Sequence, residues 1–89
     1  MDSLDRFFYT ELGKKLRELR NNRGYTLEYV ANKCQHKLTK QTLSKYEKGT
    51  RKFDYQALKD VCEVLEVDHN DILNSIHFKL WKEYINLNN

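Results

Sequence analysis

The chain has 89 residues, of which 33% are charged and 39% hydrophobic, with a net charge of +3, no proline and two cysteines. That length holds one domain with a modest core and at most one disulfide. It contains no apolar run long enough to span a membrane, and its start, MDSLDRFFYTELGKK, lacks the basic end and apolar stretch of a signal peptide. The expectation is a cytoplasmic protein with reduced thiols and no membrane partner.

Charge is unevenly spread. Residues 1–24 carry six Lys/Arg against four Asp/Glu, residues 25–53 seven against two, and residues 54–89 three against seven. The basic middle is a candidate surface for a polyanion, although a solvated lysine face would look the same by charge alone. Strand signals are weak, and the hydrophobic spacing predicts helices.

In the first helix Ser3 or Asp2 can cap, and Phe8, Leu12, Leu16 and Leu19 recur at helical spacing. Gly13 interrupts it at a cost of about 1 kcal/mol relative to Ala, so its register depends on packing; Asn21, Asn22 and Gly24 end it. The second, TLEYVANKC, has Thr26 as cap and Leu27, Val30, Ala31 and Cys34 on one face.

The third is TKQTLSKYEKG, capped by Thr39. Gln41, Ser44, Lys45 and Lys48 fall on one face with Lys40 beside them, while Leu43 and Tyr46 fall opposite and Glu47 lies on the inward flank. Gln can bond adenine bidentately, Lys can donate to guanine, and Ser or Thr can reach base edges or phosphates. A helix N-terminus adds free N–H groups that attract phosphate. Arg51 and Lys52 follow Gly49 and suit the DNA backbone.

The fourth helix runs from Asp54 as cap through Tyr55, Leu58, Val61, Cys62 and Leu65 at helical spacing; the fifth begins after Asp68 and buries Ile72 and Leu73. These five are expected to be short, with residues 75–89 as a surplus amphipathic extension. Ile76, Leu80 and Tyr84 continue an i+4 stripe that favours helix, but IHFKL also alternates at period two, so a short strand stays open. The tail is rich in large apolar residues, Ile76, Phe78, Leu80, Trp81, Tyr84, Ile85 and Leu87. It either completes the core or, as preferred, forms a twofold dimer contact through Ile76, Leu80, Trp81, Tyr84 and Ile85, with Phe7 and Phe8 as possible neighbours.

In order and spacing, LGKKLRELRNNRGYTLEYVA, LTKQTLSKYEKG and FDYQALKDVCEVLEVDHNDIL resemble the Cro-type (XRE-like) helix-turn-helix family of phage and bacterial repressors, from Leu12 to Leu73. The resemblance implies an all-α, five-helix DNA-binding domain over residues 1–74, with residues 75–89 as a dimerisation element. It implies a sequence-specific double-stranded DNA-binding transcriptional regulator, a homodimeric repressor of a pseudo-palindromic operator. By the same resemblance Arg20 pairs with Glu47, which physical chemistry supports, since an acid turned inward must be paired.

On this reading Lys40, Gln41, Thr42, Ser44 and Lys45 contact bases, and Thr26, Lys37, Thr39, Lys48, Arg51 and Lys52 contact the backbone. The chain departs from the family pattern in places. The Ala31 to Leu43 interval is two residues longer, filled by QHKL, so the turn must bulge, with its His36 and Lys37 either reaching the DNA backbone or only solvated. Leu27 stands where a phosphate-bonding Gln is common, Phe53 where Pro is common and Glu66 where Gly is common. Two alternatives stay open: an antitoxin-like protein-interaction module whose tail covers a protein partner and whose DNA binding is secondary, or a controller of a restriction or mobile-element gene set, which shares the same chemistry. Cys34, His36, Cys62, His69 and His77 fit no zinc spacing, no nucleophile or phosphate-loop motif is present, and no metal, cofactor or catalysis is expected.

Overall fold

The computed structural model describes residues 2–88, with the side chains of Leu87 and Asn88 outside the description. Five helices follow in order: α1 (Ser3–Asn22), α2 (Leu27–Lys33), α3 (Lys40–Lys48), α4 (Tyr55–Val64) and α5 (His69–Asn88). The fold is all-α, with no strand among the described residues.

Local chemistry explains most boundaries. Asp2 rather than Ser3 caps α1 by accepting from the Asp5 N–H. Thr26 and Thr39 cap α2 and α3 by accepting from Tyr29 and Thr42, each satisfying a donor that the first turn leaves orphaned. Asp54 occupies the cap position of α4 but makes no side-chain cap bond. Gly49 closes α3 in the left-handed conformation at φ 74°. Glu66 adopts the same region at φ 58°, where the family pattern often has Gly. An L side chain pays about 1–2 kcal/mol there.

The core gathers Leu12 and Leu16 of α1, Val30 and Ala31 of α2, Leu43 of α3, Leu58, Val61, Cys62 and Leu65 from α4 and its end, and Ile72 and Ile76 of α5. Helix α1 packs on α3 and α5, α2 packs on α3 and α4, and α4 packs on α5. The sequence stripes match this core except at Tyr55, which is 58% exposed and bonds its hydroxyl to His69 Nε2 at 3.0 Å.

The tail is where the sequence reading changes most. It is the second half of a 20-residue helix rather than an appendage to a short one. IHFKL is helical, with Ile72 and Ile76 at i and i+4 facing the core. Ile76 is fully buried in its own chain's core. It has no surface left for a partner, so its assignment as a dimer contact is replaced by a core role. Phe8 joins the α1–α5 contact by stacking on His77 at 5.6 Å between centroids and meeting Tyr9 edge-on at 5.0 Å. Lys79 reaches Glu11 at 3.5 Å across the same seam.

Gly13 proves to be a contact and not merely a weak point. A Cβ built there would collide with the carbonyl oxygens of Tyr46 and Glu47. One at Gly49 would lie 2.7 Å from Thr10 Cα. Glycines on both helices thus let the backbone of α1 rest directly on the C-terminal end of α3. Gly13→Ala should therefore destabilise by about 2 kcal/mol or more, because overpacking against backbone outweighs the gain of about 1 kcal/mol in helix propensity. In a thermal melt the expected Tm drop is about 10 °C; an unchanged or higher Tm would show that the two helices can separate without cost.

Candidate nucleic-acid interface

Helices α2 and α3 and the turn between them present the basic third of the sequence. The α3 helix has no acid in its first turn and carries Lys45 and Lys48 in its last, so its N-terminal partial positive charge is left uncompensated from within the helix. Leu43 and Tyr46 face inward and are buried, whereas Lys40, Gln41, Lys45 and Lys48 are exposed.

The expected base-contacting residues do not form one uniform row. Lys40 and Gln41 line a groove shared with Glu28, Asn32 and Gln35 of the α2 side, together with Lys37 and Thr39. Thr42 faces the other way, toward a hollow lined by His36, Tyr46, Arg51 and Asp60. Its hydroxyl accepts from Thr39 at 3.0 Å while its N–H is capped by the same residue, so Thr42 serves the helix start. Ser44 is half-buried in a cleft with Leu27, Arg17 and Lys48. Lys45 is exposed one turn beyond Gln41.

The expected backbone contacts divide similarly. Thr26, Lys37, Thr39 and Lys48 are exposed around α2, the turn and α3, although the Thr26 and Thr39 hydroxyls are engaged as caps. Arg51 sits 5.6 Å above the Tyr46 ring, which itself stacks on Phe53 at 4.1 Å. Lys52 lies apart, beside the start of α1, where its ammonium is 3.4 Å from Asp5. Exposed pairs of this kind contribute little to stability, but the carboxylate offsets the charge that Lys52 would offer a phosphate.

Arg17, Asn32 and Gln35 are additions that the sequence reading did not name. Arg17 is four residues after Gly13, so the close crossing at Gly13 carries it over the α3 flank. That signal needs knowledge of the crossing. Glu28 is an acid inside the same groove and opposes a phosphate there.

Behind the exposed face, Arg20 Nε donates to Glu47 Oε2 at 2.7 Å and Nη2 donates to Oε1 at 2.9 Å, while Nη1 donates to the Tyr25 carbonyl at 2.7 Å. Both side chains are buried, at 11% and 5% exposure. One guanidinium thereby joins α1, the α1–α2 loop and α3 through charge-assisted bonds.

The turn carries a second buried acid. Asp60 of α4 is 2% exposed at its side chain. Its Oδ2 accepts from the His36 backbone N–H at 2.9 Å and lies 2.9 Å from His36 Nδ1, while Oδ1 accepts from Gln56 Nε2 at 3.1 Å. Burial alone would raise the Asp60 carboxyl, but the His36 N–H, the Gln56 amide and the imidazole together hold it below its ordinary 3.8. His36 Nδ1 and its backbone N–H are thus engaged by α4, while the rest of the ring stays exposed.

The remaining candidates for metal chemistry are dispersed. His69 bonds Tyr55 and His77 stacks on Phe8. Burial pushes the Cys34 thiol up to about 11, with help from the Asp60 charge, and the Cys62 thiol to about 12, with help from Asp68. Thiols so displaced stay protonated and poorly reactive. Among the described residues no three metal-ligating side chains converge, and no helix is long and apolar enough to cross a membrane.

The helix-turn-helix family model matches residues 16–72. No curated protein sequence gives a significant match. Two solved structures of the clp gene regulator ClgR from Corynebacterium glutamicum are similar. One is 23% identical with a TM-score of 0.73, covering 91% of this chain and 84% of its own. The other is 26% identical with a TM-score of 0.70, covering 81% and 91%.

The Arg20–Glu47 bridge leads to a specific expectation. Arg20→Ala and Glu47→Ala should each cost about 3–5 kcal/mol, because each strands a buried charge. The double mutant should cost far less than their sum. Chemical denaturation of the four proteins measures this coupling, and additive losses would mean the two groups act separately.

Proposed function

The chain belongs to the XRE-like helix-turn-helix family of DNA-binding transcriptional regulators, and from that membership we propose a homodimeric repressor that reads the major groove of a pseudo-palindromic operator with α3. The observation that carries this reading is the division of α3. Leu43, Tyr46 and Glu47 bind the helix to the protein, leaving Lys40 and Gln41 exposed at a helix first turn without acids and Lys45 exposed one turn on. Long donors on a rigid helix suit base edges.

In this proposal Lys40, Gln41 and Lys45 supply direct readout, with Ser44 at the flank and Thr42 retained chiefly as a structural partner of Thr39. Lys37, Lys48, Arg51 and Arg17 supply phosphate contacts, with Thr26 and Thr39 at the two helix starts. Lys52 contributes less because of Asp5. The regulator role named for ClgR supports gene regulation as the setting of this DNA chemistry, in the cytoplasm. The construction asks for binding and no catalytic step.

For dimerisation, the supporting feature is the outer face of α5. Phe78 and Trp81 are 61% and 58% exposed, and Ile85 follows on the same side. Leu4, His77, Leu80, Trp81 and Tyr84 line an apolar groove beside them. A concentrated apolar surface of this kind is characteristic of an association site, and a twofold contact would present two α3 helices to half-sites about 34 Å apart or a multiple of that. Residues 75–89 would thus associate while their buried side, at Ile76, belongs to the domain core.

Gln41→Ala should relax discrimination at one or two base pairs, each contributing about 1–3 kcal/mol. Lys48→Ala should weaken specific and random DNA alike and lower the salt slope by about one, with a smaller effect from Lys52→Ala. Fluorescence titration against duplexes selected from random DNA reads all three; equal losses on every duplex for Gln41→Ala would remove its reading role.

Trp81→Glu lies outside the core, so it should leave the helical content intact while converting a dimer to a monomer and lowering operator affinity. Sedimentation of the wild type and variant, free and with DNA, checks this. A wild-type chain that stays monomeric in both states would sink the dimer.

A further inference from the structure

The turn between α2 and α3 has little to hold its shape from within. Gln35, His36 and Lys37 are exposed, and among the described residues no backbone–backbone hydrogen bond ties positions 35–38. Cys34 and Leu38 pack on the core at the two ends of the turn, but neither fixes the path of the chain between them. The polar tether is Asp60, whose carboxylate collects the His36 N–H, the His36 imidazole and the Gln56 amide.

We propose that Asp60 is a positioning residue for DNA recognition: through His36 it anchors the extended turn to α4, three residues before the Thr39 cap, and so sets the angle at which α3 meets the bases. The inference rests on the DNA-binding reading. It goes beyond it by assigning specificity to a buried residue on a helix that bears none of the proposed base contacts.

The chemistry favours a carboxylate at this position. Oδ2 receives two donors from one residue while Oδ1 receives a third from Gln56. An amide has one acceptor oxygen and no charge, so Asn would weaken the bonds to His36 even if the Gln56 amide turned to meet its N–H₂. A group at 2% exposure cannot replace a lost partner with bulk water, so the tether is strongly preferred over release. Base readout requires several short hydrogen bonds in register, whereas phosphate contacts tolerate displacement. A turn released from Asp60 should therefore lose specific affinity and keep random-DNA affinity.

The test uses the full chain and the variants D60N, H36A and H36N. His36 has a side chain 57% exposed, so H36A removes nothing from the core, and in H36N the amide nitrogen can take the place of Nδ1. Affinities are measured on a duplex recovered by selection from random DNA and on its scrambled counterpart, at a temperature where circular dichroism shows every protein folded. D60N and H36A should each lose about tenfold or more on the selected duplex, the scale of one hydrogen bond to a charged group, with no loss on the scrambled one. H36N should regain most of the loss.

Independently of DNA, the His36 amide should exchange slowly with solvent in the wild type and fast in D60N. Fast exchange in the wild type overturns the tether even if DNA binding holds. Unchanged selectivity in both D60N and H36A, or equal losses on both duplexes, overturns the positioning role. A wild type without any sequence preference overturns the DNA-reading premise, and the positioning role with it.

Discussion

Everything on the binding face depends on how α3 is seated on α1. Two glycines bring the backbones together, Gly13 against the Tyr46 and Glu47 carbonyls and Gly49 against Thr10. Arg20 then grips Glu47 with two bonds and the Tyr25 carbonyl with a third. Close approach and charge pairing act on the same end of α3. The crossing excludes side chains that would separate the helices, and the bidentate geometry resists rotation of α3 about its axis. A helix with only nine residues is marginal by itself, so much of its stability comes from this neighbour.

The opposite end of α3 is held differently. Thr39 is approached through a turn whose polar anchor is a buried carboxylate on α4. The α3 helix is thus fixed at its C-terminal end by α1 and guided at its N-terminal end by α4, with Leu43 between them in the core. The arrangement leaves the exposed donors on a helix that is constrained at both ends, which suits recognition that depends on placement within about 0.5 Å.

Helix α5 combines two roles that the sequence kept apart. One side supplies Ile72 and Ile76 to the core, and the other displays Phe78, Trp81 and Ile85. Because the same helix carries both, a partner docked on the outer side would be rigidly linked to the domain, with no flexible linker between them. Rigid linkage matters to a dimeric reader, since the separation of two recognition helices is then a property of the protein and does not have to be selected from an ensemble at each binding event.

Periodicity and caps made the five helices, the inward stripes of α1 to α4 and the polar face of α3 legible, because these are local consequences of 3.6-residue geometry and orphaned terminal donors. The Arg20–Glu47 partnership came from the family resemblance, with the isolated acid among lysines as its physical cue. What stayed illegible was decided by contacts remote in the chain. Gly13 is a costly residue in a helix until α3 lies against it, His36 is a free basic side chain until α4 brings Asp60 beneath it, and Ile76 is one more apolar tail residue until α5 continues unbroken out of the core. Sequence by itself determined which residues form helices and which faces are apolar. Only the tertiary structure decided which of those faces meet, because burial and pairing depend on the neighbour that removes the water.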